Sequence, residues 1–594
     1  MRLVPRRLVA VATAAALSAG LLSVTTGPPA EAAPTVTATE KKMAKTSKLE
    51  KRRSKAVKTP KLKWYSCYGY AKCATVKVPR DYDKPRGKKV ELAVVKISAK
   101  NKKRKIGTLF VNPGGPGGSG TDFALVADSV FSSDVLERFD VVGFDPRGVA
   151  FSDNVKCSSS VRKNTALLNT INSAAFPYGV KQEKAFIKAY DKHARACSTT
   201  GKPLSAAVST AEVARDMDVL RRAVGDKKLT YFGYSYGSYL GEVYANMYPD
   251  RVRAIAIDGV LDPVKWAGTK KTQGVPIGAR VESGQGASKA LRRALVLCDR
   301  AGEEYCSFAA GNAVGNYERI AQRLRKAPLV EVDPVTGERF VLTYADFVGV
   351  TLSMLYEQYY GPELVTDFAS AVGNVTGVSA ASTPRQTSVR AMITLAKRAR
   401  AEKETPSSKR LGFPYDNSID SFEAIACTDS RNSKNLASYR RLAQAADAKA
   451  PYFGRLWMWS LAGCSSKKWT VRDEDAYRGP FTKWTSNPVL IVGIYWDPAT
   501  DYAGAVSTSK RMPNSRLLSS DSWGHTAYGT SDCATSAIDA YLLSKRLPAK
   551  GKICTSDYVP FSEPLLDDED LSAAARAADK HQQVAVAPVK PVLR

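Results

Sequence analysis

The chain of 594 residues is long enough for two to four domains, or for one large domain that carries an insertion. Hydrophobic residues make up 44% and charged residues 24%, which is ordinary globular usage and excludes bulk disorder. The formal charge of +31 could attract nucleic acid, anionic cell-wall polymer or acidic lipid nonspecifically and does not choose among them, so no specific nucleic-acid site is expected. With only three histidines and no zinc-spaced cluster, neither a metal nor a cofactor is expected.

The N-terminus has the pattern of a secretory signal. Arginines precede an uncharged, mostly apolar stretch from Leu8 to Val24, and small residues follow at Ala30 and Ala32. The apolar stretch is shorter than the roughly 20 residues that a membrane-spanning helix needs. We therefore expect a cleaved signal peptide over residues 1–32 and a secreted, extracellular protein.

The ten cysteines all follow this segment, and in an exported protein their even number indicates disulfide bonds. Closeness in sequence favours three pairs, and two further pairs complete five bridges, although other connectivities stay open. The proposed pairs are Cys67–Cys73, Cys157–Cys197, Cys298–Cys306, Cys427–Cys464 and Cys533–Cys554.

Both ends of the mature chain look unstructured. From Lys41 to Lys63 there are 11 basic residues and one acidic residue, with no apolar periodicity. This pattern predicts a disordered basic arm over residues 33–63, which could be a pro-segment, a tether to anionic polymer or a plain linker. Residues 561–594 are expected to form a flexible tail.

Between these ends, short β-branched runs alternate with helical patterns. A turn-rich loop joins the first two runs into a predicted hairpin. The clearest helix covers Ala211 to Val224, with Ser209 and Glu212 as a capping box. Strands that alternate with helices predict an α/β fold with a mostly parallel sheet. The predicted strands are Ala74–Val78, Val90–Ile97, Thr108–Val111, Phe139–Phe144, Leu229–Phe232 and Ala254–Ile257.

The alternation stops after the sixth of these strands. Residues 263–484 are rich in helical patterns, and strand signals return at Pro488 to Gly493. We interpret the chain as one α/β core, residues 64–262 and 485–560, with a helical insertion between strands six and seven.

The segment Gly233-Tyr234-Ser235-Tyr236-Gly237 lies between a predicted strand and a predicted helix. In that context G-x-S-x-G is typical of a sharp turn that exposes a nucleophilic serine above a helix N-terminus. Ser235 is therefore the predicted nucleophile. The alternative is a glycine-bordered turn that serves only helix packing.

A serine nucleophile needs a base, and histidine is the usual one. His525 follows the last predicted strand, Ser515–Leu518, where a loop would bring it over the serine. His193 looks like part of an exposed helix face, and His581 lies in the tail. His525 is therefore the predicted base.

The third member is a carboxylate that orients the imidazole. Asp497 follows the strand that ends near Gly493, which gives the chain order Ser–Asp–His. Asp501 is the main rival, and Asp258 is another.

A glycine-rich loop from Asn112 to Gly120 follows the third predicted strand. Its backbone could approach a substrate carbonyl closely and donate an N–H to an oxyanion together with the N–H of Tyr236. Gly115 is the predicted donor, and Gly114 is the alternative. The absence of a G-K-[ST] sequence argues against a phosphate-binding loop.

These motifs resemble those of the secreted tripeptidyl aminopeptidases of actinobacteria, relatives of proline iminopeptidase in the α/β-hydrolase superfamily. The resemblance extends over residues 67–554. The motifs that carry it are Asn112–Gly120, Gly143–Gly148, Gly233–Gly241, Asp258–Pro263, Cys427–Asp429, Asp497–Thr500 and Gly524–Thr526.

The resemblance implies an α/β-hydrolase whose insertion caps the active site, and we expect the protein to be a monomer. It also implies a serine exopeptidase that releases short peptides, often tripeptides, from peptide substrates with free N-termini. Such an enzyme needs a carboxylate for the substrate amine, and the candidates in the insertion are Glu282, Glu423 and Asp429. Two alternatives stay open: an esterase or lipase with the same three catalytic residues, and a non-catalytic binder of anionic cell-wall polymer.

Overall fold

The computed structural model describes residues 43–332, 337, 339–377 and 416–564. The predicted signal peptide, residues 1–32, and residues 565–594 of the predicted tail lie outside these ranges. At the start of that tail, Phe561 is buried and its N–H donates to Glu363 at 2.7 Å, so this residue is packed rather than flexible. Within the described residues, no helix combines the length and the apolar composition that crossing a bilayer requires.

A ten-stranded sheet and a separate two-stranded hairpin hold the strands of the described chain. The strands are β1 (Tyr65–Cys67), β2 (Ala71–Pro79), β3 (Lys89–Ile97), β4 (Gly107–Asn112), β5 (Phe139–Phe144), β6 (Leu229–Tyr234), β7 (Val252–Asp258), β8 (Leu329–Val332), β9 (Arg339–Leu342), β10 (Val489–Trp496), β11 (Ser515–Trp523) and β12 (Ile553–Thr555).

The order in the large sheet is β1-β2-β3-β5-β4-β6-β7-β10-β11-β12. The pairs from β5 onward are parallel, and the three pairs before it are antiparallel. Successive residues of β4 enter different cores, since Phe110 packs in one and Leu109 and Val111 pack in the other. Both faces of the sheet are therefore covered, and the predicted fold class is confirmed.

Helices connect these strands and build most of the insertion. They are α1 (Lys48–Ala56), α2 (Gly120–Leu125), α3 (Ala127–Val130), α4 (Ser133–Arg138), α5 (Val161–Asn172), α6 (Val180–Thr199), α7 (Thr210–Ala223), α8 (Tyr236–Met247), α9 (Pro263–Ala267), α10 (Ile277–Arg280), α11 (Ser283–Ala301), α12 (Ala313–Lys326), α13 (Tyr344–Leu355), α14 (Gly361–Thr376), α15 (Ser418–Asp429), α16 (Tyr439–Lys449), α17 (Phe453–Trp459), α18 (Tyr502–Arg511) and α19 (Asp532–Ser544).

Helix α7 shows how buried charge alters a local pattern. The Ser209 hydroxyl accepts a hydrogen bond from the Glu212 N–H, as a capping box requires. The reciprocal bond does not form, because the Glu212 carboxylate pairs with two buried arginines and the Ser209 N–H donates to Asp473. Only half of the predicted capping box is therefore present.

The insertion lies between β7 and β10, which are neighbours in the sheet. Because β1 was not predicted, these are the seventh and eighth strands of the sheet rather than the sixth and seventh. The insertion also contains the β8–β9 hairpin, so it is not wholly helical. Its apolar side chains form a core of their own, distinct from the two cores of the sheet.

A second segment of the chain contributes to that core. Leu168 of α5 and Phe186 of α6 belong to it, although these helices lie between β5 and β6. The ring of Phe186 meets that of Trp459 edge-on at 6.3 Å, and the Tyr190 hydroxyl donates to the Trp459 carbonyl at 3.0 Å. We call the insertion together with α5 and α6 the cap.

All ten cysteines are joined in five disulfide bonds. The pairs are Cys67–Cys73, Cys157–Cys197, Cys298–Cys306, Cys427–Cys464 and Cys533–Cys554, with S–S distances between 2.00 and 2.08 Å. The pairs are those that the sequence favoured.

Arg147, which follows β5, is wholly buried and joins the sheet to α7. Its guanidinium donates to Asp216 at 2.6 and 2.7 Å and to Glu212 at 2.9 Å. It also donates to the carbonyls of Pro79 and Ala207. Every donor of this buried cation therefore has a partner, which offsets the desolvation of its charge.

The prediction of a disordered arm is wrong for residues 43–63. Residues 48–56 form α1, in which Glu50, Arg53 and Ser54 are buried. The Arg53 guanidinium contacts Glu50 at 3.0 Å and Asp83 and Asp475 at 2.6 Å each. These contacts are ionic rather than apolar, so no hydrophobic periodicity in the sequence could predict them.

Arg53→Ala should lower the free energy of unfolding by roughly 3 kcal/mol, because it leaves the buried Glu50 and the largely shielded Asp475 without one cation. The neighbouring exposed Arg52→Ala is the matched control and should change stability by no more than about 0.5 kcal/mol. Urea denaturation followed by tryptophan fluorescence would measure both. Equal effects of the two substitutions would show that α1 is not held by these ion pairs.

Candidate active site

Ser235 lies on the turn between β6 and α8, where its backbone has φ 56° and ψ −124°. A non-glycine residue adopts such angles only when its surroundings enforce them. The Ser235 N–H donates to the Asp258 carbonyl at 2.8 Å. A Cβ on Gly233 would lie 2.5 Å from the Gly237 carbonyl oxygen, so the turn requires glycine there. The local sequence therefore forces a sharp strand–turn–helix corner around Ser235.

Asp497 and His525 meet at the same edge of the sheet. Asp497 follows β10 and His525 follows β11, and parallel neighbours end at the same edge. The His525 Nδ1 lies 3.0 and 2.9 Å from the two carboxylate oxygens of Asp497. That carboxylate is 1% exposed and accepts three further hydrogen bonds, from the N–H groups of Ala499 and Thr500 and from the Thr500 hydroxyl, each at 2.8 Å. Asp497 is thus held as an acceptor.

The electrostatics of this pair favour a charged imidazole. Burial opposes the charge of His525, but the carboxylate and hydrogen bond of Asp497 outweigh burial and raise the pKa of His525 above its usual value. The Nε2 atom is buried and has no hydrogen-bond partner within the described part of the chain. The ring nitrogen that a general base uses therefore makes no hydrogen bond within the described chain.

The two rival aspartates serve other groups. Asp501 caps α18 by accepting from the Ala503 N–H at 2.9 Å, and it pairs with Lys289 at 2.7 Å. Asp258 accepts from the N–H groups of Ala527 and Tyr528, so it supports the loop that follows His525. Burial raises the pKa of Asp258 to about 7.

The glycine-rich loop passes beside the serine. A Cβ on Gly114 would lie 2.8 Å from the Ser235 Cβ and 3.1 Å from the Tyr236 nitrogen. The Gly114 N–H already donates to the Asn112 side chain at 3.0 Å. The Gly115 N–H has no hydrogen-bond partner among the described residues, so of the two glycines it is the free donor. Tyr236 is the first residue of α8, where backbone N–H groups have no partner inside the helix.

The sequence predicted that His193 lies on an exposed helix face, and this prediction is wrong. His193 is wholly buried in the cap, with Nε2 2.7 Å from Asp420 and Nδ1 2.8 Å from Glu423. Burial opposes its charge, but hydrogen bonds to the two carboxylates raise its pKa to about 10. It is therefore a charged link between α6 and α15. His581 lies outside the described residues.

All three carboxylates considered for the substrate amine have partners within the chain, and two of them are buried. Glu423 binds His193 and also accepts from the Gly463 N–H at 3.2 Å. Asp429 accepts from the Thr210 N–H at 2.7 Å and from its hydroxyl at 2.6 Å, and burial raises its pKa to about 7.

Glu282 pairs with Lys265 and is the most accessible of the three, with a side chain 31% exposed. The structure therefore does not single out one of these carboxylates as a partner for an amine.

The cap touches both loops of the site, as expected, but through residues that no sequence pattern identified. The Tyr356 carbonyl accepts from the His525 N–H at 3.1 Å, and the two rings lie edge to face at 5.2 Å. A Cβ on Gly117 would lie 2.8 Å from the Ser421 hydroxyl of α15. No motif marks residues 356–358, which lie more than 160 positions before His525 in the sequence.

A strained serine at the corner after a central parallel strand, together with a hydrogen-bonded histidine–aspartate pair on the loops after two further parallel strands, is typical of an α/β-hydrolase. In keeping with this, residues 107–275 match the family model for the alpha/beta hydrolase fold, and residues 450–554 match that for the TAP-like protein.

Similar proteins define the family further. Serine protease Hip1 of Mycobacterium tuberculosis is 30% identical over 513 residues, 82% of this chain and 88% of the relative. Tripeptidyl aminopeptidase of Streptomyces lividans is 28% identical over 497 residues, 82% and 84% of the two chains. Carboxylesterase B of M. tuberculosis is 29% identical over 517 residues, 84% and 91%. The solved structure of an esterase from Thermogutta terrifontis aligns with 86% of this chain and 99% of its own at 10% identity. Its TM-score is 0.27, and no conclusion is drawn from it.

The chain belongs to the α/β-hydrolase family that includes Hip1 and the Streptomyces tripeptidyl aminopeptidases, and it is a serine hydrolase.

Ser235→Ala and His525→Ala should each lower kcat/KM by on the order of 10⁴–10⁶, because a nucleophile and its base act as a unit. Asp497→Asn should lower it by about 10⁴, because the imidazole loses its orienting charge. Asp501→Asn is the matched control and should stay within about threefold of wild type. Steady-state kinetics would measure all four variants. A larger loss in Asp501→Asn than in Asp497→Asn would reverse the assignment.

Activity should fall toward acid with a midpoint above the ~6.5 of free imidazole, because Asp497 raises the pKa of a group that must be neutral to act. Asp497→Asn removes that charge and should move the midpoint of the residual activity to lower pH. The pH profile of kcat/KM would measure both. A wild-type midpoint below that of free imidazole would contradict the pairing.

Proposed function

We propose that this protein is a secreted serine exopeptidase that releases tripeptides from the free N-termini of peptides. The observation that carries the proposal is the Asp497–His525 hydrogen bond together with the strained turn at Ser235, in a chain 28–30% identical to a tripeptidyl aminopeptidase and a serine protease over 82% of its length. The five disulfide bonds support an oxidising, extracellular setting.

In the proposed reaction, His525 Nε2 takes the proton of the Ser235 hydroxyl as its oxygen attacks the scissile carbonyl. Asp497 stabilises the imidazolium that forms. The carbonyl oxygen becomes an oxyanion, to which Gly115 and Tyr236 donate their N–H groups. His525 then returns the proton to the leaving amine, and an acyl-enzyme remains on Ser235. A water molecule, activated by His525, hydrolyses it by the same steps in reverse.

The position of the cap supports action at a chain terminus. One part of the cap contacts the His525 loop through Tyr356, and another contacts the glycine-rich loop through Ser421. We infer that a cap resting on both catalytic loops closes one end of the cleft, so that a peptide enters by its terminus rather than by its middle. Recognition of the end then requires a group that binds a protonated α-amine.

Acetylating the N-terminus of a good peptide substrate should lower kcat/KM at least about a hundredfold, because the amine loses its charge and its partner in the transition state. Free and acetylated forms of one peptide, assayed with wild type and with Ser235→Ala as the blank, would measure this. Equal cleavage of both forms would indicate an endopeptidase or a general esterase.

An esterase is the second candidate, and the 29% identity to carboxylesterase B favours it. An esterase would use the same nucleophile, base and oxyanion donors, since the cap decides which acyl group enters. Comparing a p-nitrophenyl ester with a matched free-amine tripeptide p-nitroanilide separates the two. A higher kcat/KM for esters without an amine would favour the esterase.

A further inference from the structure

The loop that carries His525 is strained and held from two sides. Gly524 and Thr526, on either side of the histidine, both have φ 79°. Thr526 is β-branched, so this backbone conformation is costly unless its neighbours enforce it. From the sheet side, Asp258 accepts the N–H groups of Ala527 and Tyr528. These bonds hold the end of the loop but not the histidine itself.

The cap holds the other side through the segment after α13. Gln358 Nε2 lies 3.3 Å from the His525 carbonyl, 3.0 Å from the Thr526 carbonyl and 3.1 Å from the Thr526 hydroxyl. A Cβ on Gly524 would lie 2.6 Å from the Glu357 carbonyl oxygen. The Tyr359 hydroxyl donates to the Gly529 carbonyl. The cap segment therefore follows the loop along most of its length.

The Gln358 side chain is suited to holding the histidine loop. An amide nitrogen carries two N–H groups, and it can satisfy the carbonyls of two successive residues in an irregular turn. Loss of that nitrogen would leave two carbonyls of the strained loop without their donor. The imidazole would then be free to turn away from Asp497.

We propose that Gln358 is a positioning residue for the catalytic histidine, so that the cap completes the active site rather than only covering it. This inference rests on the proposed role of His525. The Tyr356 ring, edge to face with the imidazole, limits its rotation from the same side. The cap and the sheet thus both hold the His525 imidazole in its orientation.

The test uses the full-length enzyme with Gln358→Ala and the near-isosteric Gln358→Met. Gln322 is the matched control, because it is an exposed glutamine of the cap whose amide contacts only Glu318 on its own helix. The first readout is the rate at which a fluorophosphonate labels Ser235, which needs an activated serine but no peptide amine. The others are kcat, KM and the pH profile.

Both Gln358 variants should label about tenfold more slowly and lose about tenfold in kcat, with KM within about twofold of wild type. The acid limb should move to lower pH, because an imidazole that leaves Asp497 is less basic. Gln322→Ala should match wild type. If Gln358→Ala does not fold, Gln358→Met carries the same expectation.

Unchanged labelling in a folded Gln358 variant would overturn the inference, and so would a change confined to KM or an equal loss in Gln322→Ala. Neither variant folding, with the control intact, would also overturn it, because Gln358 would then be a stability residue. Labelling of wild type at Ser235 without tripeptide release would refute the proposed substrate and leave this inference standing. No labelling of wild type would refute both.

Discussion

The hydrogen-bonded pair of Asp497 and His525 is the interaction on which the rest of the site depends. It joins two loops that follow neighbouring strands, and burial makes it both strong and sensitive to geometry. The Thr500 hydroxyl donates to the Asp497 carboxylate, which is thereby held as an acceptor. Asp258 and Gln358 contact the histidine loop on its two sides. The cap therefore contacts the same imidazole ring that the loops at the sheet edge hold.

Buried charge is the second constraint on this fold. Arg147, Arg53 and His193 each lie among carboxylates that neutralise them, and each joins segments that are distant in the chain. Arg147 fixes the loop after β5 to α7, Arg53 fixes the N-terminal helix to the core, and His193 joins the two segments of the cap. Such networks add little net stability over apolar packing, but removing one partner is costly, so they specify which segments meet. They also use part of a strongly basic composition inside the molecule rather than on its surface.

The sequence predicted those features that have a local cause. Apolar runs predicted the parallel strands, and glycines around Ser235 predicted the strained corner, because backbone geometry depends on the residue itself. Features that depend on a distant partner were missed. Helix α1 is held by ion pairs and has no apolar periodicity, and the helix that carries His193 is covered by a segment more than 200 residues later in the chain. Gln358 belongs to no motif, since its role exists only where the cap meets the histidine loop.

The most direct measurement of the central claim is a time course of product masses from one decapeptide with a free N-terminus. Residues 1–3 of the peptide should appear first, residues 4–6 should follow from the shortened chain, and Ser235→Ala should yield neither. Internal fragments that appear together with the first product would contradict it, because they would place the middle of the peptide, rather than its end, in the site.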